Sequence, residues 1–331
     1  MKLFCESEKF EKGIQLSPVN EHVIKATRMG TVVSMALSGW LCSSEYLGGW
    51  PSVFYVFGTL GLIWGVLWFI LIRESPKLHP RISDKELKYI LKGCPVSTEQ
   101  VPVPWISMIT SKYFWSISAS HFGIAWSSLT LLTQLPTYLD TILHIKMENN
   151  GLLSALPFLA SWVFTIVFSF FLNTLVTKNV IALVTMRRIA MVFGGYFPSI
   201  IIISLCFIDC NKNLALAIFI IIGICLGCPF SGVMNSHADI APRFSGTFMG
   251  LTNTIASCPG FISPLLASYI TNENHTISAW NKVFIIYSAI SIVTTTIYIS
   301  CITTKIQPWN EPKKEDNKEI KKNDCPKEEK S

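Results

Sequence analysis

Apolar residues fall along this chain in long blocks rather than in stripes or alternations. Eight blocks stand out, at about 29–47, 52–72, 114–139, 152–176, 189–208, 214–234, 246–270 and 282–303, with short polar stretches between them. Each is close to the roughly 20 residues an α-helix needs to cross a bilayer. A helix on a soluble domain would carry a polar stripe along one side, and these blocks have none. The pattern predicts an all-α integral membrane protein with about eight transmembrane helices.

The blocks differ inside. The first is rich in small residues (Gly30, Ser34, Ala36, Ser38, Gly39), which let membrane helices approach closely. A Gly48-Gly49-Trp50-Pro51 turn separates it from the second, which carries Gly58, Gly61 and Gly65. The third contains Pro136 and several polar side chains, and the seventh is interrupted by Pro259-Gly260 and Pro264. Proline removes a helix N–H and bends the helix.

The polar stretches set the organisation. Residues 1–28 form an atypical polar segment without the apolar core of a signal peptide, expected to be flexible and cytosolic. Residues 74–112 form the longest loop, where Ser83-Asp84-Lys85-Glu86 reads as a capping box for a short surface helix through Leu91. Residues 305–331, with Lys and acidic side chains in near balance and almost nothing apolar, read as a disordered cytosolic tail. The loops can be sorted by side. One alternate set (the N-terminus, 73–112, 177–188 with Lys178, Arg187 and Arg188, 236–245 with Arg243, and the tail) holds nearly all the basic residues. The other set (45–51, 140–150, 209–213, 271–281) holds Lys146 and Lys212. Lys and Arg concentrate on the cytosolic side, so both termini are expected there. The opposite set carries the sequon Asn274-His275-Thr276, a candidate glycosylation site on the other face.

Composition narrows the classes. Mean hydropathy is +0.44, only 15% of residues are charged, and the net charge of +6 comes from loop residues flanking apolar blocks. Such basic residues anchor topology and do not predict nucleic-acid binding. Of ten Cys, six (Cys42, Cys206, Cys225, Cys228, Cys258, Cys301) lie inside apolar blocks, where Cys acts as a small hydrophobe. Cys225 and Cys228 make a C-x-x-C, but no second ligand pair lies near it, so no metal site is expected. No nucleophile–base arrangement, phosphate-cradling Gly loop or cofactor motif is visible, and an enzyme is not expected.

Several passages, in order, resemble solute carrier family seventeen of the major facilitator superfamily. They are Gly49-Trp-Pro-Ser-Val-Phe-Tyr-Val-Phe-Gly58, Glu74-Ser-Pro-Lys-Leu-His79-Pro80-Arg-Ile-Ser83 and Val103-Pro-Trp105, then Leu131-Leu-Thr-Gln-Leu-Pro136-Thr-Tyr138 and Asn150-Gly151-Leu-Leu-Ser-Ala-Leu-Pro157, and last His237-Ala-Asp-Ile-Ala-Pro-Arg243. The passages Leu251-Thr-Asn253-Thr-Ile-Ala-Ser-Cys-Pro259-Gly260 and Gln307-Pro-Trp309 look most like the sialin branch, beside the type I sodium/phosphate cotransporters. The resemblance covers about residues 29–310. It implies a partial major facilitator superfamily fold corresponding to family helices five to twelve, an N-terminally truncated relative whose residues 1–28 stand where four helices would be. Residues 29–73 would then be the last two helices of the N-terminal bundle, 74–112 the cytosolic central loop, and 113–304 the C-terminal six-helix bundle.

The resemblance further implies a secondary active anion transporter. Its substrate would be a sialate-, phosphate- or similar acid-type solute, coupled to a proton or sodium gradient by alternating access (symport). The partners implied are that small anion, the coupling ion, the bilayer and, in one alternative, a full-length relative that a truncated non-transporting paralogue would modulate. The membrane would be the plasma membrane or a lysosomal or vesicular one. Substrate-cavity candidates are His121, Trp126, Thr130, Gln134 and Tyr138 on the 114–139 block and Asn253 on the 246–270 block. Transporters of this kind bind near the midplane, where intramembrane polar groups mark the path. His121 is also a candidate proton relay or a hydrogen-bonded structural residue. Related members carry an Asn and an aromatic hydroxyl at the positions of Ala125 and Leu129, so possible anion contacts are missing there. Cytosolic gate candidates are Arg187, Arg188, His237, Asp239 and Arg243. Asp239 and Arg243 are spaced to pair on one helical turn, whereas Pro242 predicts a break between them. The Asp that the resemblance leads one to expect in the loop is Asn173 here, which would weaken a charged latch to the arginines.

Overall fold

The computed structural model describes residues 18–44, 48–73, 80, 82–93, 102–145, 147–208, 211–271 and 276–310. Among these the secondary structure is helical throughout: α1 (Pro18–Ser43), α2 (Pro51–Leu71), α3 (Asp84–Gly93), α4 (Trp105–Ile109), α5 (Lys112–Thr141), α6 (Met147–Thr177), α7 (Leu183–Met191), α8 (Phe197–Ser204), α9 (Lys212–Leu226), α10 (Val233–Ile240), α11 (Ser245–Ser257), α12 (Pro259–Thr271) and α13 (Ile277–Cys301). α7 with α8, α9 with α10, and α11 with α12 are consecutive halves of interrupted helices. Counted that way, the eight apolar blocks appear as eight long helical runs.

Five runs are apolar and long enough to cross a membrane by length and composition alone: Pro51–Leu71, Asn149–Thr177, Leu183–Phe207, Lys212–Ile240 and Ile277–Cys301. The other three fall short for separate reasons. α5 is long enough at 30 residues but carries Ser, Thr, His and Gln through its length. The run from 245 to 271 is cut at Cys258–Pro259. In α1 only the stretch Met29–Ser43 is apolar. α1 also begins at Pro18, inside the segment expected to be flexible. Proline suits a first helical turn, and nothing between it and the apolar block breaks a helix. The Ser83 side chain accepts from Glu86 N at 3.3 Å, so α3 starts at the cap read from the sequence.

α5 is the axis of the larger bundle, packing against α6, α11, α12 and α13. One core gathers Trp126, Leu135, Tyr138, Phe158, Phe219, Trp280 and Tyr287. A second, toward the opposite end of α5, gathers Phe114, Ile117, Val233, Ile240, Phe248 and Tyr298. Breaks in the long helices are matched by hydroxyls. Near Pro198, which cannot donate, the chain makes a π turn at Val192–Tyr196, and Ser199 and Ser291 both donate to Gly195 O, at 2.6 and 3.3 Å. Where Gly227 and Pro229 interrupt the α9–α10 run, Thr165 Oγ1 donates to Gly227 O at 3.1 Å. Asn150 of α6 donates to Pro136 O at 2.9 Å. Water is scarce at this depth, so a freed carbonyl needs a protein partner.

α1 lies along α6, and the contact turns on two glycines. A Cβ on Gly39 would stand 2.8 Å from Gly151 Cα, and one on Gly151 would stand 2.7 Å from Gly39 Cα. Only bare backbones fit at that distance. α2 is different: Ser52 is buried and Pro51, Val53, Val56 and Phe57 are half-buried, but every residue from Gly58 through Ile72 is exposed. Gly151→Val should therefore push α1 off α6. We expect a loss of about 1–3 kcal/mol of stability, read as a lower thermal-unfolding midpoint in detergent, while Gly61→Ala, with no heavy atom near its added Cβ, leaves the midpoint unchanged.

Candidate functional site

The charged centre of the bundle forms where α9 gives way to α10. A short 3-10 turn, Cys228–Ser231, followed by Gly232 (φ −96°, ψ −95°), re-aims the chain so that α10 can begin at Val233. The break leaves Ser231 O without a helical partner. Arg187 of α7 supplies one through Nη1. The other edge of the same guanidinium meets Asp239 of α10 in a two-pronged contact, Nε to Oδ2 at 2.9 Å and Nη2 to Oδ1 at 3.3 Å. The arginine side chain is 4% exposed and the aspartate 15%. Ser231 Oγ also meets Ser169 Oγ of α6, so the turn is held from two sides.

This placement corrects the sequence reading in two respects, the partner of Asp239 and the setting of the two arginines, and agrees with the break expected at Pro242. Asp239 pairs with Arg187, across the bundle, and not with Arg243. α10 ends at Ile240, before Pro242, so Asp239 and Arg243 do not share a helix. Arg187 and Arg188 lie within α7, not in a loop; Arg187 is buried and Arg188 exposed. Arg187 thus has a carboxylate partner in Asp239 although Asn173 stands where an aspartate was expected. Arg243 is exposed, and its backbone N donates to Asn310 Oδ1 at 3.1 Å.

His237, expected in a short cytosolic turn, is in α10 and only 1% exposed. Its Nε2 lies 2.8 Å from Thr252 Oγ1 on α11. His121 of α5, 5% exposed, puts Nδ1 3.2 Å from the same oxygen. The two imidazoles sit 5.8 Å apart, edge to face. Beside them Ser236 Oγ meets the Tyr298 hydroxyl at 2.6 Å. Residues assigned from sequence to two separate roles thus belong to one buried layer, and Thr252, noted there only as a neighbour of Asn253, is its hub.

The remaining cavity candidates divide. Trp126 and Tyr138 are core residues, 3% and 8% exposed. Trp126 stacks on Phe122, and Tyr138 packs against Phe219, Trp280 and Phe284 with centroids 5.2–5.5 Å away. Thr130 is bound to Ser263 of α12 at 2.6 Å. Thr130, Gln134 and Tyr138 do share a small cavity inside the bundle with Phe219, Trp280 and Tyr287. Asn253 lies elsewhere, exposed on the outer face of α11 with Gly246, Gly250, Thr254 and Ser257, and Gly260 of α12 continues that face. Asn274 lies outside the described residues. Among those described, no cluster of three or more His, Cys, Asp or Glu could hold a metal ion.

The Major Facilitator Superfamily profile matches residues 26–264. Human sialin is 36% identical over 85% of this chain and 56% of its own length. Human sodium-dependent phosphate transport protein 4 is 31% identical over 86% of this chain and 67% of its own length. Among solved structures, an inward-facing, occupied bacterial homologue of the human lysosomal transporter Spinster superposes with a TM-score of 0.51, at 12% identity, covering 85% of this chain and 69% of that one. The chain thus spans little more than half the length of sialin.

Removing one member of a buried ion pair leaves a charge without its partner and costs about 3–5 kcal/mol. Arg187→Ala is expected to lose that much in urea unfolding in detergent. The double variant Arg187→Met/Asp239→Leu should recover most of it, and a double variant no more stable than Arg187→Ala would show that the pair is not what holds α10.

Proposed function

We propose, for a chain that belongs to the Major Facilitator Superfamily and to its sialin and sodium-dependent phosphate transporter branch, that it works as a secondary active transporter of organic or inorganic anions. The transport would be driven by a proton or sodium gradient through alternating access between helix bundles. The relatives are transporters, and one is named for sodium-dependent phosphate transport. The observation that carries the reading is the outer face of α11 and α12. Gly246, Gly250, Asn253, Ser257 and Gly260 follow helical spacing, and all are exposed. A face of glycines, an amide and hydroxyls is poor lipid-facing surface; it suits a polar pathway or a facing helix bundle. Thr133, exposed, and Gln134, half-buried, are bonded to each other at 3.2 Å on α5. They extend the polar surface of the helix on which α11 and α12 pack.

In this reading residues 29–73 belong to the N-terminal bundle and 113–304 form the C-terminal one, with both termini cytosolic as the Lys and Arg distribution requires. Sialate, phosphate and similar acids are the substrates, at a plasma or lysosomal membrane. The alternative, association with a full-length carrier, draws on α2, apolar on nearly every side.

Uptake into proteoliposomes tests the choice. With an inward proton or sodium gradient, saturable uptake of labelled sialate or phosphate is expected, and Asn253→Leu should lower it about tenfold while leaving thermal stability unchanged. No gradient-dependent uptake, together with co-purification with a full-length relative, would favour the alternative.

A further inference from the structure

The layer formed by His121, Thr252 and His237 has a proton count that its contacts determine. Thr252 Oγ1 has one proton and two lone pairs. Three groups surround it: His237 Nε2 at 2.8 Å, His121 Nδ1 at 3.2 Å and Met249 O at 3.1 Å. His237 Nδ1 faces Met234 O at 3.3 Å. A carbonyl only accepts, so His237 carries its proton on Nδ1 when neutral. Its Nε2 is then an acceptor. Thr252 donates to it, and His121 donates from Nδ1 to Thr252.

One added proton fits this chain without breaking it. It bonds to His237 Nε2, which becomes a donor to Thr252. The Thr252 hydroxyl turns and donates to Met249 O instead. His121 goes on donating to the second lone pair. A second proton would place two imidazolium rings 5.8 Å apart in a water-poor interior, which like-charge repulsion and desolvation both oppose. Other ionisable groups on the elements packed around the pair lie farther along them: Lys112, Tyr113, Tyr138 and Asp140 on α5, Arg188 on α7, and Lys282, Tyr287 and Cys301 on α13. On the same side of the bundle as the pair are Arg187 of α7 with its partner Asp239 on α10 and Tyr298 of α13, with the thiols Cys225 of α9 and Cys228 of the following turn.

We propose that His121, Thr252 and His237 are a binding site for a single proton, taken from hydronium and returned to water when the layer opens, which couples the packing of α5, α10 and α11 to the gradient. This rests on the transporter reading and deepens it, assigning the proton to three named residues of the bundle. The three residues belong to three different helices, so sliding any one of them breaks the chain. Thr252 is the neighbour in sequence of Asn253, so a shift of α11 that changes the proton site also moves the exposed polar face.

The test is a titration of the purified chain in lipid nanodiscs. Imidazole nitrogens are labelled, their NMR signals are followed from about pH 8 to about pH 4, and His121→Asn and His237→Asn serve for assignment. His237 is expected to pass from the Nδ1–H tautomer to imidazolium while His121 stays neutral with its proton on Nδ1. Thr252→Val should move the His237 midpoint by about one pH unit or more, and Thr252→Ser should restore it. Both rings becoming cationic together, both staying neutral until the protein unfolds, or a Thr252→Val spectrum matching the unsubstituted chain would each overturn the proposal. If Thr252→Val fails to fold, the unsubstituted titration decides alone, since the tautomer of each ring is itself the expectation. The readout needs no transported solute. Absence of uptake would count against the transporter reading and leave this result standing, and the converse also holds.

Discussion

A guanidinium taken out of water must find a carboxylate and fill its remaining donors, or the helix that carries it will not stay buried. Arg187 meets both conditions at one point. One edge holds Asp239 and the other caps Ser231 O, the carbonyl that the broken α9–α10 run leaves open. The pairing depends on the break, because an unbroken helix would have used that carbonyl itself. It also sets the direction of α10, and so brings His237 to Thr252 and Ser236 to Tyr298. The second core, with Val233, Ile240 and Phe248, closes around this arrangement.

The same logic recurs at several bends of the long helices. There a side chain of a neighbouring helix or nearby turn donates to a backbone carbonyl: Asn150 to Pro136 O, Ser199 and Ser291 to Gly195 O, Thr165 to Gly227 O. Proline and glycine in these helices are tolerated because a neighbour can donate. The donors are also crosslinks. Asn150 ties α6 to α5, Ser291 ties α13 to the π turn, and Thr165 ties α6 to the end of α9. Bends that would weaken a solitary helix therefore help fix how the bundle packs. In α1 and α6 the opposite device serves, with Gly39 and Gly151 offering no side chain at all and the backbones meeting directly.

Much of the fold was legible along the chain. Long apolar blocks, the Ser83 cap and the interruption at Pro259 each showed in the order of residues, because each is a local property of a stretch shorter than one helix. The start of α1 was not, since polar residues after Pro18 carry no apolar signal and yet continue the helix. The site was legible as residue types and not as pairs. Sequence spacing offered Arg243 as the partner for Asp239, four positions away. The partner in space, Arg187, is 52 positions away. The break that makes this possible was visible as Gly227, Pro229 and Gly232 within an apolar run, a signal for the turn though not for what the turn would meet.

The sequence by itself determined that this is a helical membrane chain, because hydropathy and segment length act through the bilayer and need no tertiary contact, while its likeness to the major facilitator type rested on short motifs in order. The tertiary structure alone decided which intramembrane polar groups become neighbours. His121 and Thr252 are 131 positions apart and hydrogen-bonded, while Asn253, adjacent to Thr252, faces outward. The reason is physical: in a water-poor interior a polar group can bond only to whichever group stands within about 3 Å, and helix packing, not sequence distance, sets what stands there.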